Sequence, residues 1–245
     1  MINRLSRLPL NIAMLLLVLY FSFFAAWYAA YSNYFFFPIV YEVEDIGGHV
    51  MKYAPENTKG RADFVYVAQS VHLRIFADML KAVNDGGKGL EDIGYPAGTG
   101  IKKRFLTGEE TQHLQDVANL ISGIRSFWKL AVILLLAIAG HMIYRRIRPY
   151  SLRSMLLIMA GSAGVLWVLL HFFGFVKIFY ALHRMIFPEG HKWFFYYNES
   201  LMSTMLKAPD SFAVFGGILG VFALAAFILL YWAVSKLMVS LTRFD

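Results

Sequence analysis

Four long stretches, at residues 10–30, 127–144, 156–175 and 212–234, are apolar and close to free of charge, and they constrain this chain more than any other feature in it. A helix needs roughly 20 mostly apolar residues to cross a bilayer, so each stretch is long enough to be a span. The expected fold is all-α: a polytopic membrane protein with four transmembrane helices, one membrane domain over residues 1–245. The content of hydrophobic residues, 58%, and the mean hydropathy of +0.54 agree, being well above those of a soluble domain. The first apolar run follows Arg4 and Arg7 and continues into Tyr31, Tyr34 and Phe35. It is too long for the core of a cleaved signal peptide and lacks a small-residue cleavage site, so it is expected to remain as an anchor.

The short connections set the orientation. Residues 145–153 carry Arg145, Arg146, Arg148 and Arg153 and no acid, which places this loop in the cytoplasm by the positive-inside rule. Both termini then lie inside as well, with Arg4, Arg7, Lys236 and Arg243 in keeping. Two outer loops remain, at about residues 32–126 and 176–211. The net charge of +7 is accounted for by this topology and gives no reason to expect nucleic acid as a partner. The chain has no cysteine, which removes disulfide exchange, a cysteine nucleophile and thiolate metal sites.

The first outer loop is expected to be helical. Over residues 71–83 Phe76, Met79, Leu80 and Val83 form one apolar stripe, and Asn84-Asp85-Gly86-Gly87 supplies a stop. Residues 94–100, which include Gly94, Pro96, Thr99 and Gly100, look too turn-rich for regular structure. A second helix is expected over 107–121, opened by a capping box in which the Thr107 hydroxyl and the Glu110 carboxylate reach toward each other's backbone N–H. Residues three or four apart share a helix face, so Glu109, His113 and Asp116 align, while Leu114, Val117 and Ile121 form the expected buried edge. On that face Asp116 is in reach to accept a hydrogen bond from one ring nitrogen of His113, fixing its tautomer and leaving the other nitrogen as a base. A solvated polar face on a surface helix would carry the same residues.

The second outer segment places His183 about two turns past the third span. It is followed by Phe187-Pro188-Glu189-Gly190-His191-Lys192-Trp193-Phe194-Phe195-Tyr196-Tyr197. Such aromatic density settles at the headgroup level, and the proline and glycine inside it argue for a turn near the interface rather than a straight helix. An aromatic anchor belt accounts for most of these side chains but not for His183, Glu189 or His191.

These two segments resemble known motifs. Residues 107–117, with Glu110, His113, Asp116 and Val117, are similar to the E-x-x-H-M-x-D-V signature of an integral-membrane family that includes the Lit-type lipoprotein intramolecular transacylases. Leu182-His183 with Phe187-Pro188-Glu189-Gly190 and then Trp193 resembles the family's second signature, F-H-x-x-F-F-P-x-G-x-W-x-F. Leu114 replaces methionine in the first motif, a swap of similar volume. In the second, Leu182 and Ile186 replace aromatics and one extra residue separates Gly190 from Trp193. The resemblance implies a membrane acyltransferase of a bacterial cytoplasmic membrane, working at the outer leaflet. It would move the sn-2 acyl chain from the diacylglyceryl group of a lipoprotein's N-terminal cysteine to that cysteine's α-amine, giving a lyso-form lipoprotein.

On that reading His113 is the base and Asp116 its orienting partner. His183 stabilises the oxyanion or protonates the departing glyceryl oxygen. Trp193, Phe194, Tyr197 and Glu109 are candidates for substrate contact, with Glu189, His191 and Asn198 behind them. No cofactor or metal is called for; the partners are the diacylated lipoprotein and membrane lipids. Two other readings stay open. His113, Asp116, His183 and His191 are acceptable zinc ligands for a membrane lipid hydrolase, although no diagnostic metal spacing is present. A non-enzymatic assembly factor would instead use the stripe at 76–83 to dock a partner. His49 and His72 have no acidic partner at useful spacing, and His141 lies at the inner end of the second span beside Tyr144 and Arg145. His171 lies within the third span, where an ionisable residue is a functional candidate by default, and an interhelical hydrogen bond is the expectation for it.

Overall fold

The computed structural model describes residues 4–98 and 100–242. Arg243, one of the cations used to orient the chain, and Thr99 of the turn-rich stretch lie outside the described residues. In chain order the elements are α1 (Arg4–Ser32), α2 (Phe37–Val43), α3 (Ile46–Tyr53), α4 (Gln69–Asn84), β1 (Gly94–Pro96), β2 (Lys102–Arg104) and α5 (Gly108–Ser126). They continue with α6 (Trp128–Tyr144), α7 (Leu152–Phe173), α8 (Phe175–Ile186), α9 (Leu201–Met205) and α10 (Asp210–Leu241). Among the described residues four helical stretches are long and apolar enough to cross a membrane, and they correspond to α1, α6 with its extension from α5, α7 and α10. The expectation of an all-α protein with four spans is met, the two short strands aside.

The chain forms two compact units. The first comprises residues 1–29, 127–182 and 219–245. Its core joins Met14, Leu15 and Val18 to Met142, Ile147 and Met155 and to Phe227, Tyr231 and Met238. The arginine-rich connection between α6 and α7 is pinned to this bundle. Asn11 Oδ1 accepts the Tyr150 N–H at 2.7 Å, the Tyr231 hydroxyl donates to the Tyr150 carbonyl at 2.8 Å, and Arg7 donates to the Arg148 carbonyl at 2.9 Å. Each bond satisfies a loop backbone group that no helix supplies for. The third span ends two residues before its expected limit, because Gly174, at φ +81, breaks the helix between α7 and α8. That left-handed conformation is open to glycine at no steric cost. His171 does not form the expected interhelical bond: its ring stacks on Trp167 of its own helix, with centroids 5.6 Å apart.

The second unit comprises residues 30–126 and 183–218. The amphipathic helix expected from residue 71 is α4, which buries Ile75, Phe76, Met79 and Val83. Its stop is a Schellman turn: Gly86 is left-handed at φ +72, and the Gly87 N–H donates to the Ala82 carbonyl at 2.8 Å. Phe37 stacks on Phe76 at 3.9 Å, and Phe64 fills the space between His72, Tyr95 and Phe105. The stretch expected to be irregular instead contributes β1, paired antiparallel with β2 so that Tyr95 faces Lys103. Tyr95 is fully buried, and its hydroxyl donates to Asp63 at 3.1 Å. A single anchored side chain thus orders a turn-rich segment whose local preferences do not.

Candidate active site

α5 carries the first half of the site. Its start is the capping box read from the sequence: the Glu110 N–H donates to Thr107 Oγ1 at 3.2 Å, and the Thr107 N–H donates back to Glu110 Oε2 at 2.5 Å. Glu110 does more than cap. It is fully buried, accepts hydrogen bonds from the Ser200 hydroxyl and from the Met202 N–H, and lies 3.6 Å from Arg61. Arg61, itself buried, also donates to the carbonyls of Phe105 and Glu199. A carboxylate shared in this way fastens the first turn of α5 to the segment that follows the aromatic run. The expected edge of Leu114, Val117 and Ile121 is only half-buried, and the buried residues of α5 are Glu110, Asp116 and Ala118. Polar side chains take the inner positions because they meet polar partners there.

His113 faces an aromatic wall. Its ring lies 5.1 Å from Phe187 and 6.0 Å from Phe195. The ring of His183 lies 5.4 Å from the same Phe187 and also packs 4.7 Å from Trp193. α8 presents His183 in its last turn, and Pro188, which cannot extend a helix, stands just beyond its end. Burial, joined by the repulsion of His183, holds His113 down at about 4 from an ordinary 6.5, against the opposing pull of Asp116. The ring is therefore neutral at physiological pH. Its Nδ1 is buried and has no hydrogen-bond partner, an unusual state for a buried polar atom. A neutral imidazole with one nitrogen inside an apolar wall and unpaired is equipped to take a proton from a group that enters beside it.

Asp116 is not hydrogen-bonded to His113 as expected. Its Oδ2 pairs with His191 Nδ1 at 2.7 Å, and its Oδ1 accepts from Gln112 at 3.3 Å. Sharing a helix face brings His113 and Asp116 near one another, but the loop at 191 reaches the carboxylate directly. What Asp116 supplies to His113 is charge. Beside His191, Lys192 reaches Glu109 at 3.2 Å and Glu199 at 2.9 Å, so Glu109 is engaged in an exposed ion-pair network.

The aromatic candidates divide. Trp193 stands against His183, and Phe194 is exposed and touches Trp193 and Tyr196 edge-on. Tyr197 belongs to a separate cluster: its ring packs on His49 and Tyr53, and its hydroxyl donates to the Ala208 carbonyl at 2.6 Å. The Asn198 carbonyl accepts from Thr58, and Glu189 is exposed. Sequence reasoning singled out neither Phe187 and Phe195 as the walls of His113 nor Arg61 and Ser200 as partners of Glu110. The signal for the first pair was their place in the aromatic run next to His183; nothing local marks the second. Among the described residues no three His, Asp or Glu side chains converge as a metal-binding group, and the zinc-hydrolase reading finds no support.

A family model described as lipoprotein intramolecular transacylase Lit matches residues 10–212. No curated protein sequence matches the chain. Among solved structures, the fold is similar to in meso structures of the membrane integral lipoprotein intramolecular transacylase Lit from Bacillus cereus. A form of that protein with a histidine replaced by arginine aligns with a TM-score of 0.61 over 98% of this chain and 93% of that chain, at 15% identity. A second structure gives 0.59 over 99% and 98%, also at 15% identity. A form with a histidine replaced by alanine gives 0.60 over 99% and 96%, again at 15% identity. At that identity the likeness speaks to the fold.

Proposed function

Because the chain belongs to the lipoprotein intramolecular transacylase Lit family, we propose that it is a membrane acyltransferase that transfers the sn-2 acyl chain of a diacylglyceryl cysteine to the α-amine of the same cysteine. The observation that carries the reading is His113, neutral and with an unpaired buried nitrogen, its ring and that of His183 both packed on Phe187. The α-amine attacks the ester carbonyl. His113 takes the amine proton as the C–N bond forms, and returns it to the glyceryl oxygen as the C–O bond breaks. His183 donates a ring N–H to the carbonyl oxygen while it carries negative charge, the kind of contact that lowers an acyl-transfer barrier most. Asp116 acts at a distance, its charge favouring the imidazolium that His113 becomes.

The low basicity of His113 adds a condition. A free α-amine has a pKa near 7.7 to 8.0, so drawing a proton from the ammonium form onto an imidazole of about 4 is uphill by about 5 kcal/mol. The amine must arrive neutral, and His113 acts on the far more acidic N–H of the adduct. In this reading Trp193 and Phe194 line the approach of the acyl chains. The arginine-rich connection at 145–153 and both termini face the cytoplasm of a bacterial cell, and the site opens at the outer leaflet.

The reaction is an isomerisation, which separates it from hydrolysis. Purified protein given a synthetic diacylglyceryl lipopeptide is expected to yield a product of unchanged mass whose N-terminus is blocked. Release of free fatty acid, with a peptide lighter by one acyl group and a free amine, would instead make the protein a lipase.

A further inference from the structure

His191 and Lys192 stand where the second motif carries one residue more than the signature it resembles. Both side chains reach α5, and they do so on either side of His113. Lys192 meets Glu109, four residues before it, and His191 meets Asp116, three residues after it. The two contacts differ in kind. Glu109 is exposed and Lys192 shares itself with Glu199, whereas Asp116 is 8% exposed and its bond to His191 is short. A surface ion pair such as the first contributes about 0 to 1 kcal/mol. A charge-assisted bond to a buried carboxylate is roughly twice as strong as a neutral one and fixes the position of its acceptor.

Asp116 needs such a partner. Its charge helps His113 only while it is held near the ring, and His113 itself does not hold it. Gln112, one turn back on α5, accounts for one oxygen at 3.3 Å, and His191 accounts for the other. We propose that His191 is a positioning residue for acyl transfer: it holds the Asp116 carboxylate where its charge stabilises the protonated form of His113. The inference rests on the transacylase reading above. His191 touches neither reacting atom, and its influence passes wholly through Asp116.

A double-mutant cycle tests this, since coupling measures what two residues do together. His191→Phe keeps a ring but loses the donor. His191→Asn places an amide N–H close to the position of Nδ1. Acyl-transfer rates on the synthetic diacylglyceryl lipopeptide are measured for the full-length protein in detergent, each variant first checked for a native-like unfolding midpoint. His191→Phe is expected to lower kcat roughly tenfold with KM little changed, a size in keeping with misplacement of a supporting group. His191→Asn is expected to restore most of the rate. In an Asp116→Asn background His191→Phe is expected to cost nothing further. An equal loss from His191→Phe in both backgrounds would overturn the proposal, making His191 a packing residue of the loop, and so would full activity of His191→Phe. Should His191→Phe fail to fold, His191→Asn decides alone, a tenfold loss in it that persists beside Asp116→Asn overturning the proposal. If the unaltered protein moves no acyl chain, the transacylase reading falls first and the positioning role with it.

Discussion

The pH dependence of acyl transfer carries the most information about His113. kcat/KM reports groups of the free enzyme and the free substrate, here the imidazole held at about 4 and the substrate's α-amine. With an amine near 7.8, lowering the pH from about 7.5 to about 5.5 reduces its neutral fraction about seventyfold. An imidazole at 6.5 would lose about a further tenfold over the same interval, for a total near seven-hundredfold, whereas one at about 4 remains almost wholly unprotonated. The assay is initial kcat/KM on a synthetic diacylglyceryl lipopeptide in detergent across this range, with full recovery on return to the starting pH as the control for unfolding. The expected plot of log kcat/KM against pH steepens from a slope of about 0.7 at about pH 7.5 to a slope of about one below about pH 6.5 and goes no higher. A slope approaching two below about pH 6.5 would refute the claim that burial keeps His113 neutral, and with it the assignment of that ring as a base buried among Phe187 and Phe195.

Other perturbations have outcomes of equally definite sign. Glu110→Ala leaves Arg61 buried opposite an empty site and removes a capping carboxylate, so it is expected to lower stability by about 3 to 5 kcal/mol, read as the shift of a denaturant midpoint; a change within about 0.5 kcal/mol would make the cluster dispensable. His72 and His113 are both pushed down from 6.5 to about 4, with burial the leading cause, so the folded state binds these protons less readily than the unfolded state. Stability from this source is fully present above pH 6.5 and is lost as pH falls toward about 4, by on the order of 3 kcal/mol for His72. Replacing His72 with phenylalanine is expected to flatten that part of an unfolding profile. Phe187→Ala removes the ring on which both histidines pack and is expected to lower kcat by roughly tenfold or more through loss of their placement, while Phe187→Leu keeps a larger share of the rate.

The spans were legible because the solvent that selects them is simple: an uninterrupted apolar run in lipid has to be a helix whose own backbone groups pair. Even there the limits shifted with one residue, Gly174, whose positive φ ends α7 two residues before the apolar run read from the sequence does. The capping box of α5 and the Gly86-Gly87 stop of α4 were legible for the same reason, since both are local hydrogen-bonding problems with few solutions. The partner of Asp116 was not. Helical spacing offered His113 three residues away, but the bond went to His191, 75 residues along the chain, and no local rule ranks a contact of that kind against a neighbour on the same turn. The role of Glu110 was half legible: its cap was in the sequence, while Arg61 and Ser200 came to it from either side through the fold. β1 and β2 are three residues each, too short for alternation to register, and were ordered by the burial of Tyr95.

The most direct test of the account is the chemistry at the N-terminus of a reporter lipoprotein, made in bacterial cells that lack N-acylation of their own. With this protein present, fragmentation mass spectrometry of the N-terminal peptide is expected to find an N-acylated cysteine carrying a monoacylglyceryl group. With His113→Ala at the same level in the membrane, it is expected to find only the diacylglyceryl cysteine with a free amine. The same N-acylated peptide from both proteins would contradict the role of His113, and a diacylglyceryl cysteine from both would contradict acyl transfer to lipoprotein itself.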